Sequence, residues 1–274
     1  MKRSTKRIIL LLFSLALIAA GFMISDRSSA AGSPHRTPGR GSYGNLMEVK
    51  MHSGIDSRIL HYKGMDVSFN PRYHIPNWVA WELTGDETSG EAARTNKFQA
   101  DPNVAESAES YDYNYSGYDR GHMAPAGDMK WDKEAMSETF YMTNICPQTK
   151  ALNSGSWKKL EEKCRTWAQA DSAIYIVCGP VYDESPIEYI GETGVYVPRR
   201  FFKAIISPYA NPPRGIGFIM PNGKVEGGMQ AAAVSIDSIE ALTGYDFFSA
   251  LPDNIENQIE SQNKFHQWSI IRPR

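Results

Sequence analysis

His122 closes the tetrapeptide Asp119-Arg120-Gly121-His122, inside the stretch "YDRGHMAPAGDM". An imidazole with an ordinary pKa of ~6.5 can take a proton from water at neutral pH. A loop histidine held in place by a hydrogen bond is the competing reading. Downstream, "LNSGSWKKLEEKCRTWAQAD" carries Asn153 and Glu161, eight positions apart. At ~100° per residue this separation overshoots two full turns by roughly 80°, so one helix can present both side chains on one side, about 12 Å apart along its axis. Simpler readings exist here too. Asn153 at a helix start is a natural cap, and Glu161 can be a solvated charge or an ion-pair partner of Lys158 or Arg165.

These residues need elements to position them. Trp157, Leu160, Cys164 and Trp167 recur at helical spacing and form one apolar stripe. "GMDVSFN" and "WVAWEL" read as strands, followed by the turn "TGDETSG". "EAARTNKFQADPN", which contains Arg94, reads as a polar loop or short helix. "TFYMTNICPQ" is strand-like and closed by Pro147, and "SAIYIVCGPVYD" is a buried strand ending at Gly179-Pro180. "RFFKAIIS" and "GIGFIMPN" pair around "PYANPPR". "SIDSIEALTG" is a helix with Ser235 or Asp237 as N-cap and Gly244 as its stop. Strands and helices mix without βαβ alternation, which predicts an α+β fold with a largely antiparallel sheet. No repeat of solenoid length is present.

The 274 residues, 42% of them hydrophobic and 22% charged, suit an ordinary globular core. At the N-terminus Lys2, Arg3, Lys6 and Arg7 precede the apolar run Ile8 to Ile24, and "SSAAG" follows. This reads as a secretory signal cleaved after Ala30 or Ala31, with an uncleaved anchor as the alternative. Either predicts export: periplasmic or secreted, or anchored and facing outside the cytoplasm. The expected organisation is residues 1–31 as signal or anchor, 32–45 as a flexible Gly/Pro/Ser linker, and 46–274 as one domain. Without residues 1–31 the chain has 24 basic and 30 acidic residues, a formal charge of −6. A protein that coats DNA is usually basic, so binding nucleic acid here requires a local basic patch or a bound metal. Cys146, Cys164 and Cys178 contain no C-x-x-C, which argues against a zinc site, and they read as small buried residues, although an oxidising compartment would permit one disulfide. Tyr111, Tyr113, Tyr115 and Tyr118 fit a surface segment with half-buried rings better than a base-stacking platform.

The motifs in combination carry more than each alone. "DRGH" followed by "LNSGSWKKLE" resembles the DNA/RNA non-specific endonuclease family, the ββα-metal or His-Me finger nucleases, which include mitochondrial endonuclease G and secreted sugar-nonspecific bacterial nucleases. The resemblance extends over "NWVAWELT", "RTNKF", "TNICPQTKALNSGSWKKLE", "CGPVY", "VPRRFFKAII" and "IEALTGYDFFSALPD", nearly all of residues 60–255. It implies a ββα-metal fold with helices flanking the sheet. It also implies that His122 is the general base, that Asn153 is the direct protein ligand of Mg2+, with Mn2+ as the alternative ion, and that Glu161 holds a metal-bound water. Arg94 would clamp the phosphate and Arg120 would lie beside the site. Asn144 would help to orient the site or contact substrate, and Asp119 would be structural. A homodimer is left open.

The chemistry of phosphodiester cleavage agrees with these roles. Water must lose a proton, charge on the transition state must be countered, and the leaving oxygen must be stabilised. A histidine kept off the metal retains its lone pair, Mg2+ favours oxygen ligands and retained waters, and a guanidinium matches a phosphate in bidentate fashion. Such a site reads the backbone rather than base edges, so the expectation is cleavage of DNA and RNA with little sequence preference, 5′-phosphate and 3′-hydroxyl ends, and sensitivity to salt. Two alternatives stand beside it: a non-catalytic nucleic-acid-binding protein on a nuclease scaffold, and a phosphodiesterase for another substrate.

Overall fold

The computed structural model describes residues 43, 45–52, 54–182 and 188–271. The chain divides at Ser42 into a first unit, residues 1–41, and the compact unit Ser42–Arg274. The first unit lies outside the described residues, and with it the expected signal or anchor and most of the expected linker. Among the described residues no helix is long and apolar enough to cross a membrane.

The second unit is built on a seven-stranded sheet whose neighbouring strands are all antiparallel. In chain order the strands are β1 (Arg58–His61), β2 (Asp66–Asn70), β3 (Ile75–Thr84), a separate hairpin of β4 (Asp119–His122) and β5 (Ile145–Gln148), then β6 (Ala173–Val181), β7 (Arg200–Ser207), β8 (Arg214–Pro221) and β9 (Ala233–Val234). Across the sheet the order is β9-β8-β7-β6-β3-β2-β1. Strands β3 and β6 lie side by side at its centre and are buried along nearly their whole length, which is why they read as continuous apolar runs. β6 continues one residue past the expected Gly179-Pro180 stop. Pro180 lies beyond the last residue that β6 pairs with β3, so only β7 flanks it there. Pro147 sits inside β5 instead of closing it, as a two-stranded hairpin allows, because each of its strands is an edge.

Side-chain alternation divides the interior. On β7, Phe201 and Ile205 join one core with Trp81, Trp157 and Trp167, while Phe202, Ala204 and Ile206 join another on the opposite face. The helices that matter below are α1 (Lys133–Glu138), α2 (Lys158–Asp171), α3 (Ile236–Thr243) and α4 (Asp253–Glu260). The apolar stripe Trp157, Leu160, Cys164 and Trp167 is buried, as its spacing predicts. Ile236, Ile239 and Ile259, from α3 and α4, pack into the opposite core. Ser235 caps α3 by accepting from the Ser238 N–H at 3.1 Å, and Gly244 ends it in the left-handed region at φ 71°.

The helix expected from Leu152 onward is interrupted. Residues Leu152–Trp157 form a wide π-type turn in which Gly155 leaves helical geometry (φ −105°, ψ −114°), and the regular α-helix begins at Lys158. Asn153 makes no side-chain cap, so the straight-helix estimate of its distance to Glu161 does not apply. All three cysteines are free and buried; Cys178 donates its Sγ–H to the Met123 carbonyl at 3.3 Å. The four tyrosines differ in environment. Tyr113 is buried, Tyr111 and Tyr115 are exposed, and half-buried Tyr118 donates to the Glu188 carboxylate at 3.0 Å.

Candidate active site

His122 is the last residue of β4, paired with Ile145 of β5. Gly121 precedes it because a Cβ there would overlap the buried side chain of Gln148 across the hairpin. The His122 carbonyl accepts from Trp157 Nε1 at 3.1 Å, which ties the hairpin to the wide turn before α2. Its ring packs edge-on against Phe140 (5.0 Å, 87°) and tilted against Phe98 (5.3 Å). Only 8% of the residue is exposed, and Nε2 is buried without a hydrogen-bond partner. Burial, reinforced by the Arg94 guanidinium, pushes the imidazole down to about 3. The ordinary value assumed from sequence is therefore displaced, and the ring is neutral across the physiological range.

Asp119, at the other end of the same strand, accepts from Asn153 Nδ2 at 3.0 Å. This bond fixes which way the amide lies and leaves its carbonyl oxygen as the free end. Glu161 lies in the first turn of α2, half-buried, and burial pushes its carboxyl up to about 7. Lys203, Arg165 and Arg94 oppose that rise, while Asp128 adds to it. The ion pairs considered from sequence do not form: Lys158 bonds Glu162 at 3.6 Å, and Arg165 bonds Asp128 at 2.8 Å. Arg94 stacks its guanidinium over the Phe140 ring at 4.9 Å and donates Nε to Asn96 at 2.6 Å, so its Nη edge is free to meet an anion. Phe140 thus touches both Arg94 and His122, and the charge of Arg94 is felt at His122 and at Glu161.

Two expected site residues are engaged in local hydrogen bonds. Arg120 donates Nε and Nη2 to the Ser110 carbonyl and Nη2 to Asn114 Oδ1 at 2.8 Å, and its guanidinium lies over Phe98 and Tyr113. Those donors brace the loop at residues 110–114 and are unavailable to a phosphate. Asn144 is fully buried: Oδ1 accepts from Ala124 N, and Nδ2 donates to the carbonyls of Ala124 and Thr139, each at 2.9 Å. Both Nδ2 donors are taken and the side chain is shut off from solvent, and it holds the segment after His122 in place. Orientation, one of the two roles expected of it, is the role its bonds allow.

The structure adds residues the sequence reading passed over. Lys203 is fully buried on β7, with Nζ 4.4 Å from the Trp157 ring centroid and 5.0 Å from that of Trp81. Asp128 is also buried, accepting from Arg165 Nη1 at 2.8 Å and Trp81 Nε1 at 3.2 Å. Lys203, Asp128 and Arg165 form a charged layer beneath Glu161. A signal for Lys203 was available. It is a lone cation in an apolar strand, at the same parity as Phe201 and Ile205, and strand alternation directs it inward.

The amide oxygen of Asn153 and the half-buried carboxylate of Glu161 are oxygen donors of the kind a hard divalent cation takes, and Nε2 of His122 has no hydrogen-bond partner. The family model described as DNA/RNA non-specific endonuclease matches residues 42–254. The chain is 36% identical over 216 residues to the mitochondrial nuclease EXOG of Danio rerio, covering 73% of this chain and 62% of that protein. It is 33% identical over 210 residues to a nuclease of Nostoc sp., covering 72% and 75%. The human mitochondrial endonuclease G is 32% identical over 194 residues, covering 65% of each. The match spans about six tenths of the EXOG relatives' length. A solved EndoG/EndoGI complex, described as showing how EndoG is inhibited, superposes with a TM-score of 0.68 at 28% identity, covering 74% of this chain and 89% of that one. The hairpin, the broken turn and α2 all lie within the matched stretch, and the chain belongs to the DNA/RNA non-specific endonuclease family.

Proposed function

We propose that this protein is a metal-dependent endonuclease that hydrolyses phosphodiester bonds of DNA and RNA with little sequence preference. The observation that carries the reading is His122, a buried neutral imidazole whose Nε2 has no partner, set beside a guanidinium and on the hairpin that anchors Asn153. Nε2 takes a proton from the attacking water. A base held near 3 is weak when no substrate is present; burial is the larger cause and the Arg94 charge the smaller, and an anionic phosphate beside the ring offsets that smaller part and raises its basicity. The Nη edge of Arg94 binds the phosphate oxygens and counters the charge that builds on them. Asn153, oriented by Asp119, and Glu161 would hold a Mg2+ or Mn2+ ion, which when bound supplies positive charge to a phosphate oxygen and to the leaving oxygen. Water adds to phosphorus, the bond to the 3′ oxygen breaks, that oxygen takes a proton from solvent, and the products carry 5′-phosphate and 3′-hydroxyl ends. Phe98 and Phe140 wall His122 from bulk water.

Little in this set of groups addresses a base edge, which supports tolerance of both sugars and of sequence. Residues 2–31 support export by their pattern of basic head, apolar run and small residues, although several relatives are mitochondrial by name. The test is digestion of supercoiled plasmid and of single-stranded RNA by the full chain, with Mg2+ and with excess chelator. Cleavage of both substrates that stops with chelator is expected. Absence of cutting with Mg2+ and Mn2+, or cutting that survives chelation, would overturn the reading.

A further inference from the structure

On the far face of the sheet, α3 and α4 bring three carboxylates together. Asp237 and Glu240 lie three residues apart on α3, and Glu260 is the last residue of α4. Ligand oxygens of the three all lie within 4.8 Å of one another. Glu260 is only 5% exposed, and its Oε1 is buried with no hydrogen-bond partner. Among the described residues no Lys or Arg forms an ion pair with any of the three; the nearby Lys50 is spent on Asp246 at 3.1 Å. Glu240 receives one bond, from the Phe247 N–H at 2.8 Å. Glu256 and Asp246 add further negative charge around Glu260, which itself sits at the C-terminal, negative end of its helix.

The backbone holds these groups in place. A Cβ at Gly215 would lie 2.7 Å from the Ile259 carbonyl oxygen, and one at Gly217 would lie 2.7 Å from Ile239 Cδ1 and 2.9 Å from the Ser235 carbonyl oxygen. The two glycines of "RGIGF" on β8 therefore let both helices seat directly on the strand, and the end of α4 has little freedom to carry Glu260 away. Hard carboxylate oxygens, spaced loosely and without a protein cation, match Ca2+, which accepts six to eight oxygens at ~2.4 Å in irregular geometry. Mg2+ demands a tighter octahedron.

We propose that Asp237, Glu240 and Glu260 form a calcium site that clamps α3 to α4, separate from the nuclease centre. Its test does not depend on catalysis. The chelator-stripped full chain is titrated with CaCl2 by calorimetry, and its thermal midpoint is followed, for wild type, Asn153→Ala, Glu260→Gln and Asp237→Asn. Wild type and Asn153→Ala are expected to bind one Ca2+ at the clamp and, at ~100-fold excess over Kd, to gain roughly 5–10 °C. Glu260→Gln and Asp237→Asn are expected to lose at least about tenfold in affinity, as removal of a charged ligand should cause. Should Glu260→Gln fail to fold, the exposed Asp237→Asn decides. The proposal falls if wild type shows no Ca2+ binding, if the response vanishes in Asn153→Ala, or if Asp237→Asn responds as wild type does.

Discussion

The two faces of the central sheet treat buried carboxylates in opposite ways. On the face under α2, Asp128 and Glu161 lie among fixed cations: Arg165 bonds Asp128, Lys203 sits between two indoles, and Arg94 approaches from the loop. On the face under α3 and α4, no described Lys or Arg pairs with Asp237, Glu240 or Glu260, and the charges felt at Glu260 are those of other acids. The consequence shows in the carboxyls themselves. Glu161 is pushed up to about 7, with the cations resisting its burial, whereas Glu260, with none, rises to about 9. A buried acid ringed by protein cations can stay ionised and serve chemistry near neutrality. One ringed by acids must bind a proton or a cation.

The sharpest way to separate the faces is His122→Ala. Loss of the base should lower the cleavage rate by ~10²–10⁴-fold, while calcium binding at the far cluster is unchanged. Plasmid nicking within about threefold of wild type would remove His122 from its proposed role. Breaking the charge balance on the near face comes next. Lys203→Met leaves Asp128 and Glu161 with one cation fewer, and it should cost about 3 kcal/mol in urea denaturation, because stranding one side of a buried charged network is expensive. A loss below about 1 kcal/mol would mean that Lys203 only fills space between Trp81 and Trp157.

Asp119→Ala frees the Asn153 amide to rotate. A partner that orients a ligand from behind is typically worth about 10–100-fold in metal affinity, so Mg2+ binding should weaken by that factor while the thermal midpoint moves little. Unchanged Mg2+ affinity would show that the Asp119–Asn153 bond has no part in orienting the metal ligand. The smallest effect is read in chelator on the far face. The folded-state pKa of Glu260, about 9, stands above the ordinary carboxyl value. Its protonated form therefore contributes stability fully at pH below ~4.3, and that contribution is lost as pH climbs toward 9. Glu260→Gln should flatten this decline and leave the variant more stable than wild type at pH 8. Parallel pH profiles for the two proteins would contradict it.

Much of the near face was legible in the sequence because its chemistry is local. "DRGH" and "LNSGSWKKLE" are short stretches in which spacing and residue type point to function, and the apolar stripe of α2 announced which side of that helix is buried. The hydrogen bonds of Arg120 and Asn144 were not legible for one reason: residue type says what a side chain can bind, not which partners have already taken its donors. Their partners, at Ser110 and Asn114 for one and at Ala124 and Thr139 for the other, come from loops and turns whose paths no periodicity encodes. The break at Gly155 escaped for a related reason. A glycine inside a helical pattern lowers the chance of helix without showing where the axis turns.

By itself the sequence determined the mixed antiparallel architecture, the buried stripe of α2, the Gly244 stop of α3, and the family to which the chain belongs. All of these rest on interactions within a few residues or on patterns written along one strand or helix. Only the tertiary structure decided that Lys203 lies under α2, that Asp119 holds the Asn153 amide, and that Glu260 meets Asp237 and Glu240. Those neighbours are set by which faces of distant elements pack together, and electrostatic fields follow from that packing rather than from order along the chain.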